Sequence, residues 1–207
     1  DQHFGGNKHA QVEQVAGWCK ELGIQELTLY TFSIENFNRP KDEFDQLMKL
    51  FKEEFERLSN DKRLSKDRIR INIIGRTYMF PKDVQEALHD VMEKTKHNDG
   101  YTINFAMAYG GRTEVIDATR KIAEQVKLGK LDIDEINEKV FSRNLYFDDE
   151  PDLIIRTGGE KRTSNFLMWQ SAYSEWAFLE RLWPELKKQD LANVIDDFQK
   201  RERRFGK

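Results

Sequence analysis

Tyr101-Thr102-Ile103-Asn104-Phe105-Ala106-Met107-Ala108 lies between the turn Asn98-Asp99-Gly100 and the pair Gly110-Gly111. Rich in aromatic and β-branched residues, it reads as a strand. The stretch from Thr113 to Leu128, stopped near Gly129, reads as a helix that follows it directly. Successive strands separated by helices need crossover connections, which imply a mainly parallel sheet covered on both faces. The same alternation runs along the chain. A helical stripe of Val12, Val15, Ala16, Cys19 and Leu22, closed by Gly23, precedes a strand at Leu27-Thr28-Leu29-Tyr30-Thr31-Phe32. Pro40, with Asp42 and Glu43 behind it, opens a helix whose apolar face is Phe44, Leu47, Met48, Phe51, Phe55 and Leu58. Residues 59–68 read as a polar, solvated connection, Ile69 to Gly75 as a strand, and Pro81 to His97 as a helix. Further on come a shorter helix from Asp132 to Phe141, a brief buried strand Leu153-Ile154-Ile155-Arg156, and a glycine loop. An aromatic segment from Phe166 to Phe178 and a last helix from Leu191 into a basic tail complete the chain. The fold class is α/β, and no repeat, low-complexity tract or linker divides it, so residues 1–207 read as one domain.

The 207 residues carry 34 Lys+Arg against 37 Asp+Glu, a formal net charge of −3, which gives no overall attraction for nucleic acid. A hydrophobic share of 38 %, with 14 Phe and 4 Trp, supports a packed core and argues against disorder. The single cysteine, Cys19, excludes an internal disulfide framework, suits a reducing compartment, and lies on a helix's apolar stripe as a core residue. No apolar run approaches the roughly 20 residues needed to span a bilayer. No signal peptide is visible. The chain opens at Asp1-Gln2-His3 without Met, as though a segment upstream were missing.

Asp148-Asp149-Glu150-Pro151-Asp152 spells DDxxD, the magnesium–diphosphate motif of trans-type prenyltransferases. That chemistry needs carboxylates a turn apart on one helical face. Pro151 disfavours helix at Glu150, a strand begins immediately afterwards, and those enzymes are all-helical. The run therefore reads as a solvated acidic loop.

More informative is Arg156-Thr157-Gly158-Gly159-Glu160-Lys161-Arg162-Thr163-Ser164-Asn165-Phe166. It follows a short apolar strand, so its polar groups belong beyond that strand's carboxyl end, where open α/β sheets build ligand sites. Two arginines, a hydroxyl and paired glycines suit a diphosphate. Guanidinium forks grip phosphate oxygens, Ser164 can donate, and glycines let backbone N–H groups approach. Taken alone, a surface loop whose Arg and Glu pair with each other for little energy is the competing reading.

The stretch RTGGEKRTSNFLMWQSAYSEW from Arg156 resembles the C-terminal signature of the cis-prenyltransferases, the undecaprenyl diphosphate synthase family. Residues 28–40, TLYTFSIENFNRP, resemble that family's LYxFSxENWxRP segment, with Phe37 where many relatives carry Trp. Asn104 to Arg112, ending in Tyr-Gly-Gly-Arg, Leu182-Trp183-Pro184, and Arg201-Glu202-Arg203-Arg204-Phe205-Gly206 resemble its other segments, in order. The resemblance implies a mostly parallel six-stranded sheet flanked by helices. It also implies a magnesium-dependent condensation of isopentenyl diphosphate onto an allylic diphosphate primer, each new double bond being formed cis. Such a reaction asks for cations on the departing diphosphate, a second anion clamp, and a dry groove for the tail.

Residue by residue, the resemblance implies that Arg156, Arg162 and Ser164 hold isopentenyl diphosphate and that Glu175 binds Mg2+. Ser33, Glu35, Asn36 and Arg39 would lie on a loop that closes over the substrates, Arg39 near diphosphate, with Ser33 and Asn36 assisting condensation. His3 would approach the primer diphosphate. Arg204 and Gly206, in the family's terminal Arg-x-Gly, would reach phosphate across a homodimer interface. Arg201, Arg203, Arg204 and Lys207 otherwise read as a charged helix end, favourable against the helix dipole. Ile103, Phe105 and Met107 would be core, or line the tunnel that receives the growing chain. A cytoplasmic protein is expected, either soluble or loosely associated with the membrane because a long product would partition into lipid, and the near-neutral charge and absent motifs give no nucleic-acid partner. The family begins upstream with a strand and an Asp-Gly-Asn-x-Arg phosphate loop that this sequence does not contain. The rival reading is a non-catalytic partner subunit of a heteromeric enzyme. Retention of Asn36, Arg39, Arg156, Arg162, Ser164 and Glu175 favours the enzyme.

Overall fold

The computed structural model describes residues 7–201. In chain order the elements are α1 (Asn7–Glu21), β1 (Glu26–Ser33), α2 (Lys41–Ser59), α3 (Lys62–Lys66), β2 (Ile69–Ile74), α4 (Lys82–Thr95), β3 (Tyr101–Tyr109), α5 (Gly111–Lys127), α6 (Glu138–Arg143), β4 (Leu153–Thr157), β5 (Glu175–Leu179) and α7 (Lys188–Lys200). Tight 3-10 turns stand at Ile34–Asn38, Thr77–Met79, Ile133–Glu135 and Trp183–Glu185. The chain gathers into two compact units. The larger holds Gln25–Asp149 and Asn165–Trp169, the smaller the described residues of Asp1–Ile24, Glu150–Ser164 and Gln170–Lys207. Neither is a continuous stretch, because the chain changes unit after residues 24, 149, 164 and 169.

In the larger unit β1, β3 and β2 lie side by side in that order, wholly parallel, as the strand–helix alternation requires. One face is covered by α2 and α4, which pack on each other, and α4 packs on β2. Leu47, Met48, Phe51 and Phe55, four of the six residues read as the apolar face of α2, are buried. Phe55 meets Phe105 of β3 edge-on, with ring centroids 5.3 Å apart. Thr95 at the end of α4 accepts the Ile71 N–H at 3.1 Å and donates to the Val91 carbonyl at 2.8 Å. The β1–β3 register slips between Tyr30 and Phe32. An extra residue in a strand reverses the side-chain alternation beyond it. Thr31 is exposed as a result, and Phe32 packs against Phe51 and Phe80 on the helix-covered side.

On the opposite face a polar ladder runs across all three strands. Asn104 Nδ2 donates to Glu26 Oε1 at 2.6 Å and to Thr28 Oγ1 at 3.0 Å, and Asn72 Nδ2 donates to Asn104 Oδ1 at 3.0 Å. Nearer the carboxyl ends, an aromatic cluster takes over. Tyr30 stacks on Phe166 with centroids 4.8 Å apart, and Tyr109 meets both rings edge-on. Burial pushes the Tyr30 phenol up to about 12. The Tyr109 hydroxyl donates to one oxygen of Glu114, whose other oxygen accepts the Tyr146 N–H at 2.9 Å. Arg76, at the end of β2, forks onto Asp117 of α5 at 2.8 and 2.7 Å. That guanidinium holds the Asp117 carboxyl below its ordinary value.

The smaller unit has β4 and β5 as a parallel pair, with α1 and α7. Gln11 of α1 donates to the Leu186 carbonyl at 2.9 Å, and Glu21 pairs with Lys188.

Several elements differ from the sequence reading, each for a local reason. Five strands stand among the described residues, one fewer than the six implied by resemblance. One of the five, β5, lies in what read as a plain aromatic segment. Residues 59–68 contain α3, capped by Asp61, with Leu64 buried beneath it. The helix expected from Asp132 to Phe141 is split, because Asp132 and Asn137 each cap a separate turn. The last helix starts at Lys188, where Asp190 turns back to accept the Lys187 N–H at 2.8 Å. Among the described residues, no helix is long and apolar enough to cross a membrane.

Candidate active site

In the larger unit the carboxyl end of β1 turns at once into the Ile34–Asn38 3-10 turn. The Ser33 N–H donates to Asn36 Oδ1 at 2.9 Å, and the Arg39 N–H donates to the Asn36 carbonyl at 3.3 Å. Asn36 therefore shapes the loop, besides the part in condensation that resemblance gives it. Arg39 leaves the turn immediately before α2 and pairs with Glu43. Phe37, in the position where relatives carry Trp, packs against Phe32, Phe44 and Phe80, so this aromatic belongs to the core.

The carboxyl end of β3 carries Gly110 and Gly111, and here sequence reasoning missed a residue. Asn165 caps α5 from across the fold. Its carbonyl accepts the Gly111 N–H at 2.7 Å and its Oδ1 accepts the Arg112 N–H at 2.8 Å. Gly110, the residue in line to cap α5, has no side chain to do so. A Cβ at Gly110 would stand 2.9 Å from Asn165 Nδ2, and one at Gly111 3.0 Å from the Asn165 carbonyl oxygen and 2.5 Å from Met168 Cγ. The glycine pair thus exists to admit the Asn165 segment. Helix α5 accordingly begins at Gly111, two residues before Thr113. No short-range signal announces a cap 53 positions away. Gly111→Ala should destabilise the protein by about 1–3 kcal/mol, read from the urea midpoint. An unshifted midpoint would show that the interlock is loose.

In the smaller unit the expected diphosphate residues come together. Arg156 Nη1 donates to the Arg162 carbonyl at 2.6 Å and to Ser164 Oγ at 2.7 Å, so one guanidinium folds the loop back onto its own strand. Arg162 donates to Glu160 at 2.5 Å, with its side chain 62 % exposed. Ser164 has φ +48°, a left-handed conformation that a serine holds only when its neighbours impose it. The N–H groups of the two glycines themselves are taken up within the fold. The Gly158 N–H donates to the Arg181 carbonyl and the Gly159 N–H to the Leu179 carbonyl, each at 2.9 Å. At φ +90° and +73° they turn the chain beside β5.

Glu175 opens β5 opposite Leu153, whereas Arg156 stands opposite Phe178. Three positions separate them, roughly 10 Å along the strands and on alternate faces. The Glu175 carboxylate is 23 % exposed and accepts from Arg201 Nη1 at 3.0 Å. Among the described residues no three His, Cys, Asp or Glu gather as a metal cage. A lone carboxylate fits a hard cation such as Mg2+, which keeps its waters and takes its remaining oxygens from substrate phosphate. His3, Arg204 and Gly206 lie outside the described residues.

The family model for undecaprenyl diphosphate synthases matches residues 3–206. The chain belongs to the undecaprenyl diphosphate synthase family. It is 48 % identical over 207 residues to the tritrans,polycis-undecaprenyl-diphosphate synthase (geranylgeranyl-diphosphate specific) of Pyrococcus horikoshii, covering 99 % of this chain and 78 % of the relative. It is 43 % identical to the enzyme of the same name from Methanocaldococcus jannaschii, covering 100 % of this chain and 76 % of that one. Among solved structures, lavandulyl diphosphate synthase from Lavandula x intermedia, in complex with dimethylallyl diphosphate, superposes with a TM-score of 0.90 at 32 % identity, over 97 % of this chain and 87 % of that one. A probable undecaprenyl diphosphate synthase from Campylobacter jejuni gives 0.86 at 36 % identity, over 100 % and 95 %.

As a member of the undecaprenyl diphosphate synthase family the protein is a prenyltransferase of polyprenyl diphosphate synthesis, and its parallel α/β architecture is that of its structural neighbours. The DDEPD run has no helical part in this family member. Residues 148–151 are irregular and Leu153 begins β4. Burial first, and then the charges of Asp149 and Asp148, raise the Glu26 carboxyl at the edge of the polar ladder.

Proposed function

We propose that this prenyltransferase extends geranylgeranyl diphosphate with isopentenyl diphosphate, setting each new double bond cis, and that it works with Mg2+ as a homodimer. The observation that carries the reading is the Arg156 loop. One guanidinium, already bonded to Ser164 Oγ and the Arg162 carbonyl, draws two cations and a hydroxyl into a single short loop. That inventory suits the diphosphate of the isopentenyl substrate. Arg39, Ser33 and Asn36 serve the primer end. In the condensation the primer's C1–O bond breaks and its diphosphate leaves with the electron pair. The isopentenyl double bond supplies the new C–C bond, and a proton is lost to form the next double bond. The chain's residues hold the two diphosphates and orient the reacting carbons. Mg2+, held through phosphate oxygens with Glu175 as a carboxylate donor, would neutralise charge on the departing diphosphate. The primer choice follows the names of the relatives. Exposed Tyr173, Phe178 and Leu182 of the smaller unit support a dimer.

The test combines intact protein, Mg2+, labelled isopentenyl diphosphate and allylic diphosphates of increasing length. Chain-extended product is expected, most efficiently from geranylgeranyl diphosphate, and lost when EDTA removes the metal. No product from any primer would turn the reading to the non-catalytic partner subunit.

A further inference from the structure

Glu43 is the third residue of α2. A carboxylate at that place ordinarily reaches back to the N–H of the capping residue. Here the cap is Pro40, which has no N–H to give. The Glu43 carboxylate bonds instead to the guanidinium of Arg39, one residue earlier. At 30 % and 39 % exposure the two side chains form a pair of little worth to stability, and the guanidinium is reachable by a ligand.

The backbone around the pair is already set by the Asn36 bonds and by the ring of Pro40. The long Arg39 side chain is the part that must still be placed for a ligand, and Glu43 is bonded to it. A guanidinium offers five N–H donors in a planar fork, more than a single carboxylate can take, so it can hold Glu43 and phosphate oxygens together. The opposing effect is the repulsion of an incoming diphosphate by the Glu43 charge. That charge stands in the first turn of α2, where the positive end of the helix absorbs part of it, and solvent screens the rest. Ordering of the arginine therefore outweighs repulsion.

We propose that Glu43 is a positioning residue of the active site, fixing the Arg39 guanidinium in the pose that receives a substrate diphosphate. The proposal rests on Arg39 as a diphosphate ligand, the reading given above, and extends it to a residue that touches no substrate. It is tested on the intact protein by calorimetric titration with inorganic diphosphate and by steady-state kinetics with geranylgeranyl diphosphate. Glu43→Ala should weaken diphosphate binding and raise KM, each by about tenfold, with kcat within about threefold and the melting temperature unchanged. Glu43→Gln keeps an acceptor oxygen and should recover most of the loss. Arg39→Ala should weaken binding at least as much, and Arg39→Ala/Glu43→Ala should be no worse than Arg39→Ala alone, since the pair acts as one unit. Glu43→Ala binding diphosphate as tightly as the unaltered protein, or tighter, overturns the proposal, as does additivity in the double variant. If Arg39→Ala itself leaves binding and KM untouched, the assignment of Arg39 falls, and the proposal falls with it for that separate reason.

Discussion

Arg156→Ala should cost about a thousandfold in kcat/KM for isopentenyl diphosphate, roughly 4 kcal/mol of transition-state stabilisation. The expected loss is larger than that of one phosphate contact, because this side chain has two duties. It supplies a cation, and it ties the Arg162 carbonyl and Ser164 Oγ into one loop. Removing it frees the left-handed Ser164 and the Arg162 carbonyl, and leaves the Arg162 side chain with its existing bond to Glu160. Arg156→Lys should restore little of the loss, since a single ammonium cannot reproduce the fork that bridges two acceptors. Arg162→Ala should fall short of Arg156→Ala, because the Arg162 side chain makes an exposed pair with the nearby Glu160, whereas Arg156 bridges two separate points of the loop. Isotope incorporation under subsaturating substrate, with circular dichroism to confirm folding, measures the order. Equal activity for Arg156→Lys and the unaltered protein would show that charge alone is used.

The second large effect concerns the core. Glu114, 1 % exposed, accepts on both oxygens, from the Tyr109 hydroxyl and the Tyr146 N–H. Glu114→Ala strands the buried Tyr109 hydroxyl and the half-buried Tyr146 N–H and leaves a cavity, for an expected loss of about 3–5 kcal/mol in urea unfolding. Glu114→Gln is the discriminating variant. It keeps one acceptor oxygen and turns an amide N–H2 towards a donor, so about 2 kcal/mol is expected. If Glu114→Gln unfolds at the same urea concentration as the unaltered protein, the carboxylate does not bridge β3, α5 and the Tyr146 segment as described.

What the sequence disclosed follows from the range of each interaction. The apolar stripe of α2 and the runs at Leu27–Phe32 and Tyr101–Ala108 carry their own period, so those elements were legible within a few residues. Pro151 was sufficient to exclude a helical reading of Asp148–Asp152. β5 was not legible, since Glu175-Trp176-Ala177-Phe178-Leu179 becomes a strand by pairing with β4 rather than by its own alternation. Leu64, the lone apolar residue in 59–68, was the available sign of α3. Within the site, motif resemblance picked out Arg156, Arg162 and Ser164, which the structure brings together. The loop's composition suggested that its glycines let backbone N–H groups approach a ligand, but the N–H groups of Gly158 and Gly159 themselves are taken by the Arg181 and Leu179 carbonyls. Asn165 and Glu43 escaped because their effects depend on what neighbouring residues lack: a side chain at Gly110, an N–H at Pro40.

The four changes of unit along the chain bear on how the protein is made. Gln11 and Glu21 of α1 are translated 175 and 167 residues ahead of their partners Leu186 and Lys188. At about 5–20 residues per second a ribosome needs on the order of ten seconds or more to supply them. Through that interval Val15 and Cys19, buried in the finished protein, have no smaller unit to enter. The larger unit, complete but for residues 165–169, can begin folding meanwhile. Birth of the protein is therefore ordered, with α1 waiting for the distant segment that completes its unit.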